Sequence, residues 1–207
     1  TMKLIILDRD GTINEESADF IKTPEEWLPL PGALEAIARL NHAGWHTIIA
    51  SNQSGLGRGL FDVAALNSIH AKMHKLLGAL GGRMDAVFYC PHTPADNCSC
   101  RKPLPGLFQQ IIERTSVEAH TIPSAGDSLR DMQAAAAAGC EPHLVLTGNA
   151  FHLRGQPLPE TFPANTVVHQ DLSAFADFVI ARQNEQEKAH AVAQDLMKSI
   201  AREKKTP

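Results

Sequence analysis

The stretch LIILDRDGTIN, residues 4–14, places two carboxylates one residue apart at the end of an apolar run. Residues i and i+2 of an extended chain point the same way, so Asp8 and Asp10 are expected to face one point in space before Gly11 permits a turn. Because like charges repel, that point should hold a cation such as Mg²⁺, or a reaction that needs a nucleophile and a proton carrier. A solvated turn is the alternative, since Asp and Gly are common turn residues.

Short β-branched runs alternate with longer helical patterns along the rest of the chain. The predicted strands are 3–7, 46–51, 84–90, 121–127, 142–148 and 166–170, and the predicted helices are 32–44, 62–80, 105–117 and 129–139. This alternation predicts an α/β protein with a mainly parallel sheet and helices on both faces. Ligands of such folds lie outside the carboxyl ends of the strands, where Asp8, Ser51, Cys90 and Asp127 all fall.

Length and charge limit the class of protein. The 207 residues suit one larger domain, and 43% hydrophobic residues allow a sizeable core. A net charge of −4 gives no reason to expect nucleic-acid binding. We find neither an apolar run of transmembrane length nor an export leader, which predicts a cytoplasmic protein that does not bind membranes.

We expect one domain over residues 1–182 and a helical tail over 183–207. The Pro-rich segment 155–165 is predicted to be a surface loop rather than a linker between two cores. Apolar residues of the tail recur at helical spacing: Ala189, Val192, Leu196 and Ile200. A solvated helix on a monomeric chain is the simpler interpretation, and docking or dimerisation through this helix is the alternative.

Two further segments carry side chains suited to a phosphate group. SNQSGLGRG follows a predicted strand and supplies Ser51, Asn52 and a run of flexible backbone N–H groups. CRKPLPG brings Arg101 and Lys102 just ahead of a helix, where cations can neutralise a transferring phosphoryl group. Taken singly, a Gly-rich turn and a surface pair of basic residues are the plainer interpretations.

A third segment, AGDSLRDM, ends another predicted strand with two acidic residues. Asp127 is a potential ligand of the same metal. Asp131 falls on the first helical turn, where the helix dipole also favours an acid for purely structural reasons.

The segment CPHTPADNCSC, residues 90–100, compresses four good metal ligands into a short span: Cys90, His92, Cys98 and Cys100. Three thiolates and one imidazole form the closed tetrahedral set of structural zinc, with no open position for chemistry. Zinc here would anchor the backbone that aims both Arg101 and Lys102 at the phosphate. Reduced cysteines beside a chance histidine are the alternative.

In this order, D-x-D-G-T, S-N-Q, R-K and G-D-x-x-x-D resemble the haloacid dehalogenase superfamily of phosphatases over about positions 3–148. The resemblance implies a Rossmann-like, doubly wound core with Asp8 as the nucleophile and Asp10 as the general acid and base. It also implies that Ser51 binds the transferring phosphoryl group and that Lys102 neutralises it.

The same resemblance implies a catalytic Mg²⁺. Its ligands would be Asp8, the main-chain carbonyl of Asp10, and Asp127. Asp131 would lie beside these ligands rather than among them.

Within the superfamily, a zinc loop directly before the R-K pair is similar to two groups. One removes the 7-phosphate of D-glycero-D-manno-heptose 1,7-bisphosphate, and the other hydrolyses histidinol phosphate. DRDGTIN, SNQSGLGRG and CRKPLPG are closer to the heptose group, in which Arg58 would suit the second phosphate, together with Asn52, Arg101 and Lys102. The short zinc loop and ADFIK at 18–22 fit that group less well, so histidinol phosphate or another small sugar phosphate is the alternative substrate.

Single helices and short loops fill the gaps between these motifs, so we expect no large cap domain. Loops after residues 11, 52 and 90 would then select the substrate, which favours a small, heavily charged molecule. A zinc-stabilised binding protein with a retired active site is the competing class. The complete set of catalytic side chains argues against it.

Overall fold

A computed structural model describes residues 2–204, so Thr1 and the end of the predicted tail, 205–207, lie outside the described residues. Six parallel strands form one sheet in the order β3-β2-β1-β4-β5-β6. The strands are β1 (Lys3–Leu7), β2 (Trp45–Asn52), β3 (Ala86–Cys90), β4 (Pro123–Gly126), β5 (Glu141–Val145) and β6 (Val167–His169). The helices are α1 (Ala33–His42), α2 (Ser54–Gly57), α3 (Val63–Ala79), α4 (Gly106–Thr115), α5 (Leu129–Ala137) and α6 (Leu172–Glu203).

The central position of β1 follows from its composition. Leu4, Ile5, Ile6 and Leu7 are all fully buried, as expected of a strand covered on both faces. Ile5 and Leu7 pack on the side of α1, α3 and α6, whereas Leu4 and Ile6 pack on the side of α4 and α5. The chain therefore crosses both faces of the sheet, and the predicted doubly wound α/β fold is confirmed.

Predicted and observed elements agree closely. Every predicted strand and helix over residues 3–170 is present, with ends that differ by a few residues. Gly44 and Gly139 end helices with φ of 96° and 84°, a conformation that favours glycine. Within residues 2–204, helices and loops alone connect the strands, without an inserted cap domain, and 155–165 lies largely on the surface.

Helix α6 runs without a break through the predicted boundary at residue 182. Its contacts with the sheet continue past that boundary: Trp45 Nε1 donates to Gln183 Oε1 at 2.8 Å, and Lys3 pairs with Glu187 at 3.6 Å. Among the described residues, none of the helices combines the length and the apolar character needed to cross a membrane.

Candidate active site

The carboxyl ends of β1, β2 and β4 meet around a cleft of about 150 Å³. Most of the side chains predicted for the site line it: Asp8, Asp10, Ser51, Asn52, Arg101, Lys102, Asp127 and Asp131. Parallel strands bring their ends to one edge of the sheet, so residues far apart in the chain converge here.

Lys102 lies at the bottom of the cleft and is 2% exposed. Its Nζ donates to Asp8 Oδ1 at 2.9 Å, Asp131 Oδ1 at 2.6 Å and the carbonyl of Ala50 at 2.8 Å. Asn52 clamps the backbone of the lysine, since its Oδ1 accepts from Lys102 N at 3.0 Å and its Nδ2 donates to Lys102 O at 3.1 Å. Burial alone would lower the pKa of Lys102, but the charges of Asp131 and Asp8 raise it, so the ammonium stays charged.

Three carboxylates crowd around this single cation. Oxygens of Asp8, Asp127 and Asp131 lie within 4.8 Å of one another. Burial and the charge of Asp131 raise the pKa of Asp8 to about 6, against the lowering effect of Lys102. Burial, Asp8 and Asp131 likewise raise the pKa of Asp127 well above its usual value. The donor set and its excess negative charge fit a hard divalent cation such as Mg²⁺.

Asp131 uses both of its oxygens within the protein. Oδ1 accepts from Lys102, and Oδ2 accepts from the backbone N–H of Asp127 and of Ser128 at 3.1 Å each and from Ser128 Oγ at 2.8 Å. These bonds make Asp131 the N3 residue of the capping box of α5, in which Ser128 is the N-cap, as well as the partner of Lys102. Because both oxygens are engaged in this way, Asp131 stays predicted to lie beside the metal ligands rather than among them.

Asp127 is held in place by a turn that follows β5. Its Oδ2 accepts from Asn149 N at 2.8 Å and from Asn149 Nδ2 at 3.2 Å. Two glycines make room for this oxygen, since a Cβ on Gly11 would lie 2.0 Å from it and a Cβ on Gly148 would lie 2.2 Å from it. Thr147 Oγ1 joins the two loops by donating to the carbonyl of Gly11 at 2.6 Å.

Asp10 has surroundings opposite to those of Asp8. Arg9 contacts both of its oxygens at 2.8 and 3.1 Å, while Asn14 and Gln53 donate to it at 2.9 and 3.1 Å. Burial would raise the pKa of Asp10, but the Arg9 charge and these hydrogen bonds lower it below its usual value. Gln53 also donates to Ser51 Oγ at 2.8 Å, which ties the second motif to the first.

A buried histidine supports Arg9, which is fully buried itself. Arg9 Nη1 lies 3.1 Å from Nε2 of His70 on α3. Burial and the Arg9 charge lower the pKa of His70 to about 4, so its neutral ring accepts the bond. Sequence reasoning missed this layer, because His70 lies far from the motifs and looks like any core histidine.

Three arginines lie near the mouth of the cleft. Arg101 lines it and donates to the carbonyl of His92 at 3.4 Å. Arg130, which was not predicted, also lines it. Arg58, predicted to bind the second phosphate, lies outside the lining, with its guanidinium 5.9 Å from the ring centre of Phe20, and that ring lines the cleft.

The four predicted zinc ligands converge as a cluster, with one atom from each within 4.8 Å of the others. Cys90 Sγ lies 3.6 Å from Cys98 Sγ and 3.1 Å from Cys100 Sγ, and His92 Nδ1 lies 3.3 Å from Cys100 Sγ. The three cysteines of the cluster are free thiols. Tetrahedral zinc with bonds of about 2.3 Å would separate its sulfur ligands by about 3.7 Å, so the cluster fits this metal.

The parallel sheet, the carboxylates at its strand ends and the buried lysine define a class of hydrolase. Residues 14–139 match the family model described as haloacid dehalogenase-like hydrolase, and the chain belongs to that family. The resemblance drawn from the motifs is therefore confirmed.

Individual relatives of the chain share a more specific name than the family. The chain is 55% identical to a D-glycero-beta-D-manno-heptose-1,7-bisphosphate 7-phosphatase of Bordetella bronchiseptica, over 85% of this chain and 97% of that one. It is 47% identical to the protein of the same name from Pseudomonas aeruginosa, over 86% and 97%. The crystal structure of D,D-heptose 1,7-bisphosphate phosphatase from B. bronchiseptica, complexed with magnesium and phosphate, matches with a TM-score of 0.83 and 54% identity, over 87% of this chain and 99% of that one.

Proposed function

We propose that the chain is a Mg²⁺-dependent phosphatase that removes the 7-phosphate of D-glycero-D-manno-heptose 1,7-bisphosphate. The names and high identity of its relatives support the substrate. The contact of Lys102 with Asp8 and Asp131, beside Asp127, is the observation on which the proposal rests. It supports the proposal because the carboxylate of Asp8, the ammonium of Lys102 and two further carboxylates come together in one small cleft.

Asp8 attacks phosphorus in this proposal. One carboxylate oxygen forms a bond to phosphorus as the bond from phosphorus to the sugar oxygen breaks, which gives an aspartyl phosphate. Water then attacks the same phosphorus, releases inorganic phosphate and restores the carboxylate. Ser51 and Lys102 hold and neutralise the phosphoryl oxygens throughout.

Asp10 moves the protons. It protonates the departing sugar oxygen and, as a carboxylate, later accepts a proton from the attacking water. Arg9 keeps the resting carboxylate ionised, and a bound phosphate dianion raises the pKa of Asp10 by placing negative charge beside it. The proton is thus acquired together with the substrate.

Two metals belong to the proposal. Asp8, Asp127 and the main-chain carbonyl of Asp10 would hold Mg²⁺, which when bound offsets the negative charge shared by phosphate and carboxylates. Cys90, His92, Cys98 and Cys100 would hold a structural Zn²⁺.

The cleft favours a substrate with two phosphates. A volume of about 150 Å³ accommodates a phosphoryl group rather than a whole sugar, so most of the substrate lies at the mouth. Arg101 and Arg130 line that mouth and suit a second phosphate, which guanidinium groups bind in a bidentate manner. Asn52 contributes by holding the backbone of Lys102. Arg58 contributes through its contact with the ring of Phe20, which lines the cleft. A single domain over 1–182 and a cytoplasmic location stay predictions.

A phosphate-release assay tests this function. We expect kcat/KM for the heptose bisphosphate to exceed that for histidinol phosphate and for other sugar phosphates by at least about tenfold, because a substrate lacking the second phosphate loses a charge-assisted contact. Asp8→Asn should keep the fold and abolish turnover. The control variant Asp85→Asn, on the surface, should keep both the fold and the turnover. An active Asp8→Asn variant would reject the covalent mechanism, and a preference for histidinol phosphate would reject the substrate.

A further inference from the structure

The last part of α6 together with its C-cap Lys204, residues 188–204, carries large apolar side chains in solvent. We call this part the tail helix. The exposed fractions are 68% for Val192, 60% for Leu196, 71% for Met197 and 44% for Ile200. Residues at positions 189, 192, 193, 196 and 200 share one helical face, so the exposure forms a stripe rather than scattered points. Contiguous apolar surface of this kind marks an interaction site.

The tail helix leaves the fold at the end opposite the cleft. Gln183 and Glu187, which precede it, contact Trp45 and Lys3 at the amino ends of β2 and β1. The cleft lies at the carboxyl ends of the same strands. A partner bound to the tail helix therefore leaves the active site open.

Two relatives are matched almost end to end by a part of this chain. Matches that cover 97% and 99% of two relatives cover 85% and 87% of this chain. Every strand and every side chain that lines the cleft precedes residue 170. The apolar stripe thus has no part in forming the catalytic fold, and it needs another explanation.

We propose that the tail helix pairs with the tail helix of a second copy of this chain, in antiparallel orientation. The twofold axis passes between Gln194 and Asp195. An isologous dimer of this kind uses the same patch on both copies and closes without further association.

Side-chain size supports this register. About the axis, Ala189 faces Ile200 of the partner subunit, and Ala193 faces Leu196 of the partner subunit. A small residue opposite a large one lets both helices approach closely and fill the space between them. Parallel pairing would set alanine against alanine and isoleucine against isoleucine, which leaves gaps at some levels and crowding at others.

Charge supports the same orientation. The same register sets Glu185 opposite Lys204 of the partner subunit, once at each end of the stripe. Both residues are exposed and flank the apolar face. Parallel pairing would place each charge against its own copy, and like charges repel. Self-complementarity in both size and charge identifies a second copy as the occupant of the stripe.

Sedimentation of the full chain tests the proposal. We expect twice the 22.4 kDa mass of one chain. Leu196→Lys should give monomers, whereas Ala191→Lys, on the opposite face of the helix, should stay dimeric, with circular dichroism confirming that both variants fold. A monomeric parent chain, a dimeric Leu196→Lys variant or a monomeric Ala191→Lys variant would each overturn the proposal.

A charge exchange tests the orientation. Glu185→Lys and Lys204→Glu should each raise the dimer dissociation constant by about tenfold, because two attractive pairs become repulsive. The double variant should restore the parent value. Parallel pairing predicts no loss in the single variants, and that result would overturn the antiparallel arrangement.

Discussion

At the scale of single residues, the cleft has an unbalanced charge. Asp8 and Asp131 contact the buried ammonium of Lys102, and Asp127 lies beside these two carboxylates. Burial and, after it, this imbalance explain why the pKa values of Asp8 and Asp127 rise although a lysine lies next to Asp8. The protein without metal thus holds protons at the place where the proposal puts Mg²⁺.

This competition between protons and metal gives a prediction on pH. The folded chain without metal holds the protons of Asp8 and Asp127 more tightly than the unfolded chain, so their contribution to stability falls as pH rises. For Asp8 this loss runs through a pKa of about 6. Mg²⁺ reverses this loss. At about 100 times its Kd, the ion should raise Tm by about 5–10 °C at neutral pH, and by clearly less about one pH unit below the pKa of Asp8.

Differential scanning fluorimetry with and without Mg²⁺ at each pH measures this difference in Tm. The effect of groups that titrate elsewhere is the same in both samples and therefore cancels. Asp127→Asn serves as the control and should lose the response to Mg²⁺ at both pH values. Equal shifts of Tm at both pH values would contradict a site built from carboxyls with raised pKa.

Sequence reasoning found the side chains that end strands and missed those that support them. Asp8, Ser51 and Asp127 were predictable because a strand end is visible in the sequence and has a known place in the fold. Arg9 and Asn149 were not, since their roles depend on contacts with other segments. Asn149 follows a predicted strand, and that position was the one available signal.

At the scale of elements, two glycine turns decide whether Asp127 can bind a metal. Gly11→Ala or Gly148→Ala would place a Cβ about 2 Å from Asp127 Oδ2, so we expect either change to displace this carboxylate and weaken Mg²⁺ binding by about tenfold or more. Calorimetric titration with Mg²⁺ measures the effect.

Gly155→Ala is the matched control for the glycine turns. Gly155 has a φ of 71°, comparable with 84° at Gly11, but it faces open space. Alanine there imposes the same backbone strain without the clash. Equal loss of Mg²⁺ affinity in all three variants would attribute the effect to strain rather than to the displaced carboxylate.

The zinc loop gives a prediction on substrate binding. Cys98→Ser should release the metal and raise KM by about tenfold, because Arg101 depends on the loop through its bond to His92, while kcat falls less because Asn52 still clamps Lys102. Kinetics at saturating Mg²⁺ together with elemental analysis provide the test. Cys140→Ala, away from the cluster, should keep both the zinc and the parent KM. An unchanged KM in zinc-free Cys98→Ser would contradict a role of the zinc loop in substrate binding.

Helices and strands were predictable where the hydrophobic pattern and the position of a glycine indicated the same boundary. The buried run before Asp8 and the glycines after α1 and α5 fixed three elements within a residue or two. The boundary at 182 was harder to place, because Gln183 and Glu187 are polar and their contacts with Trp45 and Lys3 cannot be read from helical period.

At the scale of the whole molecule, the catalytic fold should function without the tail helix. A chain ending after Glu187 keeps the contacts of α6 with Trp45 and Lys3, so we expect kcat and KM to stay within about twofold of the parent and Tm to change by about 2 °C or less. Steady-state kinetics and thermal unfolding measure this. A large loss of stability would make the tail part of the domain core.

The two halves of the sheet contribute to one cleft, and this has a consequence for protein synthesis. Asp8 emerges from the ribosome early in synthesis. Lys102, Asp127 and finally Asn149 emerge much later. Because domains fold largely as units, a nascent or prematurely terminated chain displays the proposed nucleophile, Asp8, without the groups that would activate it. We expect such intermediates to be inert toward cellular phosphate esters. Activity then appears only once the last of these groups has been synthesised and the domain has folded.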